Sequence, residues 1–151
     1  MRGLCDTNVL ARAATRPAGP ANEVLRRLLD DPRHELIITP YLLDELTRVL
    51  AYVRVRARSI ASIEEVAQFL DDLERGAELV EPADIPPAVA RDPGVDPVIA
   101  GAVAGRADVL CSRDQHLYDP AVRAYCEQHG IEVIDDVALL RRLRSADDDS
   151  P

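Results

Sequence analysis

The chain has 151 residues, with 27 acids against 18 basic residues and a net charge of −9, and every basic residue is arginine. A protein without lysine is neither a P-loop NTPase nor a Schiff-base or lysine-base enzyme, and the acidic balance argues against a groove binder that relies on a basic surface. It leaves room for a nuclease whose acids hold divalent cations. Hydrophobic residues make up 47%, enough for an ordered core in one domain.

No apolar run approaches the roughly 20 residues that cross a bilayer, and MRGLCDTN lacks the apolar region of a signal peptide. A cytoplasmic protein is expected. Cys5, Cys111 and Cys126 are odd in number and show no C-x-x-C spacing. A disulfide framework and a structural zinc site are therefore not expected, and Cys5 and Cys111 read as small buried hydrophobes.

In chain order, Arg2–Cys5 is a short apolar strand. Ala21–Asp30 is a helix with Val24, Leu25, Leu28 and Leu29 on one face. Leu36–Ile38 is a strand ended by Thr39-Pro40, a cap and first-turn pair. The helix that follows carries Leu42, Leu46, Val49 and Val53 as its apolar stripe. Ser62 and Glu65 form a capping box for a helix running to Gly76, and Leu79-Val80 is a short strand. Asp96-Pro97 opens a small-residue helix, VIAGAVAG. Val109–Ser112 is a strand, Asp119-Pro120 opens a helix ended by Gly130, Ile131–Ile134 is a strand, and Val137–Leu143 is the last helix. Strands alternating with helices predict an α/β fold: a three-layer α/β/α domain over 1–145 with a central parallel sheet. Residues 146–151, ADDDSP, read as an acidic disordered tail.

In open α/β sheets the functional site lies beyond the carboxyl ends of the strands. Asp6 follows the first strand and Asp114 follows Val109–Ser112, while Asp96 opens a helix at the same edge. Glu45 falls about 60° from the apolar stripe of its helix at roughly 100° per residue, with Asp44 on the solvated side. Each acid also has a purely structural reading. Asp6 can end a strand in an Asx turn, Asp96 can cap a helix, Asp114 can belong to a turn, and Glu45 can pair with Arg48. Together at one sheet edge, four carboxylates would repel one another without a cation. Oxygen ligands of this kind suit Mg²⁺ or Mn²⁺. Such a site can activate a water and stabilise displacement at a phosphodiester, with the Asn8 amide orienting Asp6 or a water.

These residues carry a family resemblance. MRGLCDTNVL resembles the opening PIN-domain motif, TPYLLDELTRVL the second, and RDPGVDPVIAGAVAGRADVLCSRDQHL the third and fourth, in an order that covers nearly the whole chain. The match is closest to the toxin components of toxin–antitoxin systems, the VapC-like ribonucleases. The resemblance implies RNA cleavage dependent on Mg²⁺ or Mn²⁺, with Asp6, Glu45, Asp96 and Asp114 as the catalytic, metal-holding acids and Asn8 and Ser112 as polar neighbours. It also implies a cognate antitoxin protein that blocks the cleft, and a homodimer. Two departures stand out. Pro93, Gly94 and Val95 occupy positions where many relatives carry acids, leaving Asp92 as an outer acid. His116 stands where many have an Asp that helps hold a second ion.

For RNA contact, Arg54, Arg56 and Arg58 cluster after the Glu45 helix, either gripping phosphates or favourably placed at a helix C-terminus. Arg141, Arg142 and Arg144 read as an exposed helix face. One Phe, four Tyr and no Trp predict backbone recognition over base stacking. A haloacid-dehalogenase-type hydrolase would want D-x-D and usually a lysine, where this chain has D-T-N and none. No G-x-G-x-x-G follows a strand, which removes dinucleotide binding. The alternative of a different class is a catalytically silent PIN-like module that binds RNA or protein. It is separated from the enzyme by whether the four acids converge and bind metal.

Overall fold

The computed structural model describes residues 1–82 and 96–149. Its strands are β1 (Arg2–Cys5), β2 (Glu35–Ile38), β3 (Glu78–Leu79), β4 (Val109–Cys111) and β5 (Glu132–Ile134). They form one sheet in the order β3-β2-β1-β4-β5, and every neighbouring pair is parallel. Buried on both faces, β1, β2 and β4 read as GLC, LII and VLC, near-continuous apolar runs without alternation, as a covered parallel sheet requires.

The helices are α1 (Thr7–Thr15), α2 (Pro20–Asp30), α3 (Pro40–Leu50), α4 (Val53–Arg58), α5 (Ile63–Gly76), α6 (Asp96–Ala104), α7 (Pro120–Gln128) and α8 (Asp136–Asp148). Together with the sheet they make the three-layer α/β/α sandwich that the sequence predicts. Gly3 of β1 lies against Leu28 of α2, whereas the next residue, Leu4, lies against Gly101 of α6. One strand thus serves both helical layers, because successive side chains point to opposite faces. The chain adds β2 and β3 on one side of β1, then returns past it to add β4 and β5 on the other. This makes the β1–β4 junction the switch point of the sheet.

Several boundaries follow from local chemistry. Ser62 and Glu65 exchange bonds with each other's backbone in the expected capping box. The Thr39 hydroxyl accepts the Leu42 amide at the start of α3, with Pro40 in the first turn. Gly130 ends α7 with φ +71°, a conformation that costs glycine little. Cys5 and Cys111 face each other across β1 and β4 as buried thiols. Donation of its proton toward Cys5, reinforced by burial, pushes the Cys111 thiol far above its ordinary pKa, and both buried thiols serve as packing.

Four features depart from the sequence reading. Residues 7–15 form a helix, whose signal is the buried set Val9, Leu10, Ala13 and Ala14 at helical spacing. The helix after β2 breaks at Ala51–Tyr52, so Val53 opens α4 and is 82% exposed instead of continuing the stripe. Gln115–Tyr118 is a 3-10 turn capped by Asp114. The tail expected from Ala146 instead continues α8 through Asp148, because Asp147 forms ion pairs with Arg27 and Arg33 that neutralise its charge beside α2.

Candidate active site at the carboxyl edge of the sheet

Asp6 leaves β1 at the switch point. Its backbone N–H donates to the carbonyl of Cys111 at 2.9 Å, extending the β1–β4 ladder by one residue, and its side chain then caps α1. Oδ1 accepts the Thr7 amide at 2.8 Å. Oδ2 accepts the Ser112 hydroxyl at 2.8 Å and the Asn8 Nδ2 at 3.4 Å. Three donors therefore fix one carboxylate that is only 7% exposed.

The opposing wall is the turn after β4. Ser112 is buried, and its Oγ, besides donating to Asp6, accepts the Asp114 amide at 3.0 Å and Asn8 Nδ2 at 3.3 Å. Tyr118, from the 3-10 turn, donates its hydroxyl to the Ser112 carbonyl at 2.8 Å. Burial pushes that phenol up to about 12, so it stays a donor at any physiological pH. Asp114 caps the 3-10 turn through the His116 amide at 3.0 Å, and His116 Nδ1 lies 3.1 Å from the same Oδ1.

Burial raises the Asp6 carboxyl above its ordinary pKa. The Ser112 and Thr7 hydrogen bonds oppose that rise, and the negative charges of Glu45 and Asp114 add to it. Asp6 therefore feels the charges of both Glu45 and Asp114 across the edge. Glu45, half-buried on α3 while Asp44 is exposed, accepts a hydrogen bond from the Tyr41 hydroxyl one turn earlier. Burial, and then the Glu45 charge, pushes that phenol up. Asp96 is buried as the first residue of α6. The close approach of Gly101 to Thr39 and Leu4 seats that helix against α3 and β1.

The structure places Asp6 directly after β1, Asp114 in the turn after β4 and Asp96 at the start of α6, with Glu45 on α3; Asp6 also caps α1, and Asp114 caps the 3-10 turn. Asp92 lies outside the described residues. Arg54, Arg56 and Arg58 are exposed on α4. The segment after α4 is tied to the far end of α1, where Ile60 and Ala61 donate to the Thr15 carbonyl. That is about 13 Å of helix from Asp6.

The sequence reading missed Tyr41, Arg113, Tyr118 and Asp136. Tyr41 had a usable signal, since position i is the neighbour of Glu45 at i+4 on one helix. Arg113 holds Asp136 through two hydrogen bonds, a contact between distant segments that no local pattern announces.

The four carboxylates offer oxygen ligands alone, and at Asp6 desolvation outweighs what the hydrogen bonds offset. Beside Asp6, the buried Thr7 hydroxyl has no hydrogen-bond partner among the described residues, as at a site whose remaining partner is a ligand or water. These features fit a hard divalent cation. Among the described residues, no three of His, Cys, Asp or Glu are gathered closely enough to hold a metal ion as they stand. No helix among them is long and apolar enough to cross a membrane. Comparison with curated proteins gives no match. The PIN domain family matches residues 2–116, a span that includes β1 to β4, Asp6, Glu45, Asp96 and Asp114. The chain belongs to the PIN domain family, whose fold is of the nuclease type.

Proposed function

We propose that the protein is a divalent-metal-dependent endoribonuclease that hydrolyses RNA phosphodiester bonds, and that it is the toxin of a toxin–antitoxin pair. The observation that carries this reading is the Asp6 carboxyl. It is buried, fixed by three donors, and raised in pKa by desolvation and by the charges of Glu45 and Asp114. Such an arrangement costs stability unless a cation offsets it.

Asp6, Glu45, Asp96 and Asp114 would hold Mg²⁺ or Mn²⁺. When bound, the ion supplies a Lewis acid to the phosphate oxygens and lowers the pKa of a water. Asp6 is the fixed anchor of the set, oriented by Ser112, Thr7 and Asn8. Tyr41 holds the Glu45 carboxylate, and His116 holds Asp114. In hydrolysis, the water oxygen forms the new P–O bond, a ribose oxygen leaves with its electron pair and gains a proton, and the acids receive the proton that the water loses. A cognate antitoxin covering this edge is the partner we expect, with a cytoplasmic site of action and a homodimer as the assembly.

The test is calorimetric Mn²⁺ titration of the wild type and Asp6→Ala, paired with cleavage of total RNA. Binding and cleavage in the wild type that both vanish in Asp6→Ala are the expected result. No Mn²⁺ binding by the wild type sinks the reading. A second reading, a catalytically silent PIN module that binds RNA or protein, is favoured by the wider spacing of the acids among the described residues. RNA binding without cleavage at saturating Mn²⁺ would select it.

Arg54, Arg56 and Arg58 are proposed to grip the RNA backbone away from the cleavage point, given their place on α4. Replacing Arg54 and Arg56 by alanine should then weaken RNA binding and flatten its salt dependence by about 1.4 in log K against log salt, at roughly 0.7 per phosphate contact on a single strand. An unchanged slope would leave them as helix-end charges.

A further inference from the structure

Asp136, the first residue of α8, is 0% exposed. Its Oδ1 accepts Arg113 Nε at 2.7 Å and its Oδ2 accepts Arg113 Nη2 at 3.1 Å. That is a two-pronged pair between a buried carboxylate and one edge of a planar guanidinium. Arg113 stands between Ser112 and Asp114 on the turn after β4. While its side chain reaches the start of α8, its backbone N–H donates to Asn8 Oδ1 at 3.1 Å.

That one bond decides the orientation of the Asn8 amide. With Oδ1 on Arg113, the Nδ2 face must turn to Asp6 Oδ2 and Ser112 Oγ. Ser112 Oγ in turn receives the Asp114 amide and donates to Asp6. The Asn8 and Ser112 contacts to Asp6 thus converge on the backbone setting of residue 113, whose side chain is held among the described residues by Asp136.

We propose that the Arg113–Asp136 pair is a positioning clamp for the acid cluster. Its two members are not among the four acids proposed to hold the ion; they set how Asn8, Ser112 and Asp114 face Asp6. Its consequence for metal binding rests on the nuclease reading above; its consequence for the geometry of residue 113 does not.

The informative variant removes both charges together, Arg113→Met with Asp136→Leu. Deleting one partner strands a buried charge, whereas an apolar pair of similar volume tends to preserve folding. Arg113→Lys is the companion variant, keeping the charge but losing the fork, and it carries the same measurements if the double variant does not fold.

Two readouts are taken on folded protein: the Mn²⁺ dissociation constant by calorimetry, and the exchange rate of the backbone amide at position 113 by NMR without metal, relative to the intrinsic rate of the residue present. The clamp predicts about tenfold weaker Mn²⁺ binding, the scale seen when partners behind metal ligands are lost, and roughly tenfold lower protection of that amide. A role confined to stability would lower the melting temperature and leave both unchanged. Wild-type values for both in the folded double variant would overturn the clamp. If the wild type itself binds no Mn²⁺, the nuclease reading falls, and the clamp then stands or falls on the protection of the amide at position 113 alone, lower or unaltered in the variant.

Discussion

Asp6→Asn is expected to abolish RNA cleavage, by a factor on the order of 10³ or about 4 kcal/mol of transition-state stabilisation, while making the folded protein more stable at pH 7. The two effects share one cause. Asparagine can still cap α1 through Oδ1, gives up the acceptor that Ser112 and Asn8 share at Oδ2, and carries no charge among Glu45 and Asp114. The Asp6 carboxyl is raised above its ordinary 3.8, so the folded chain holds that proton more tightly than the unfolded chain does. Stability contributed by this group is therefore lost as pH climbs from the ordinary carboxylate value through the raised one. The variant, which cannot ionise there, does not suffer that loss. A gain of about 1 kcal/mol corresponds to roughly 3 °C in melting temperature for a chain of this length. The gain should be full at neutral pH and should shrink as the pH is lowered toward 4. Thermal melts of both proteins from pH 4 to 7.5 check it, and a difference that widens on acidification would contradict it. Adding Mn²⁺ should reverse the order at pH 7, because binding to the folded state alone stabilises the wild type.

Gly101→Leu should be the most destabilising single change at the back of the site. Even a Cβ at this position would meet Thr39 Cγ2 at 2.6 Å and Leu4 Cδ1 at 3.3 Å. Thr39 cannot yield freely, because its hydroxyl caps α3 through the Leu42 amide at 3.2 Å. An isobutyl group must push α6 off the sheet or rotate the cap away, and overpacking of this kind costs about 3 kcal/mol at the upper end of its usual range. The expected fall in melting temperature is about 10 °C. Because α6 carries Asp96 and α3 carries Glu45, the displacement should also weaken Mn²⁺ binding in whatever fraction remains folded. Gly105 has a similar contact with Ile37 Cγ2, at 2.7 Å, so Gly105→Leu should lower the melting temperature comparably. It should disturb the metal site less, being a turn farther from Asp96. Equal effects of the two on Mn²⁺ affinity would refute that distinction.

Much of this was legible in the residues. The runs GLC, LII and VLC, the Thr39-Pro40 and Ser62–Glu65 caps, and Gly130 each act within a few positions, where local rules govern. The position of Glu45 on the shoulder of α3 also follows from helical periodicity. What escaped depends on contacts between distant segments. The break at Ala51–Tyr52 has no glycine or proline to mark it, and the segment beyond it is instead held by the Thr15 carbonyl. Asp147 looks like tail until Arg27 and Arg33 are placed beside it. Asp136 looks like one more acid at a helix start until the turn after β4 brings Arg113 to it. Tyr41 was within reach, four residues before Glu45, but apolar patterning passes over a tyrosine with one polar atom.

The bond from Ser112 to Asp6 spans 106 positions of sequence, and β4 cannot join β1 before almost everything between them has been made. During synthesis at about 5–20 residues per second, the growing chain holds Asp6 for several seconds without its partners, and the pair at Asp136 arrives later still. The edge around Asp6 is therefore assembled in order along the chain: its Ser112 and Asp114 wall cannot close until β4 has formed, and the Arg113–Asp136 pair cannot form until β5 has followed.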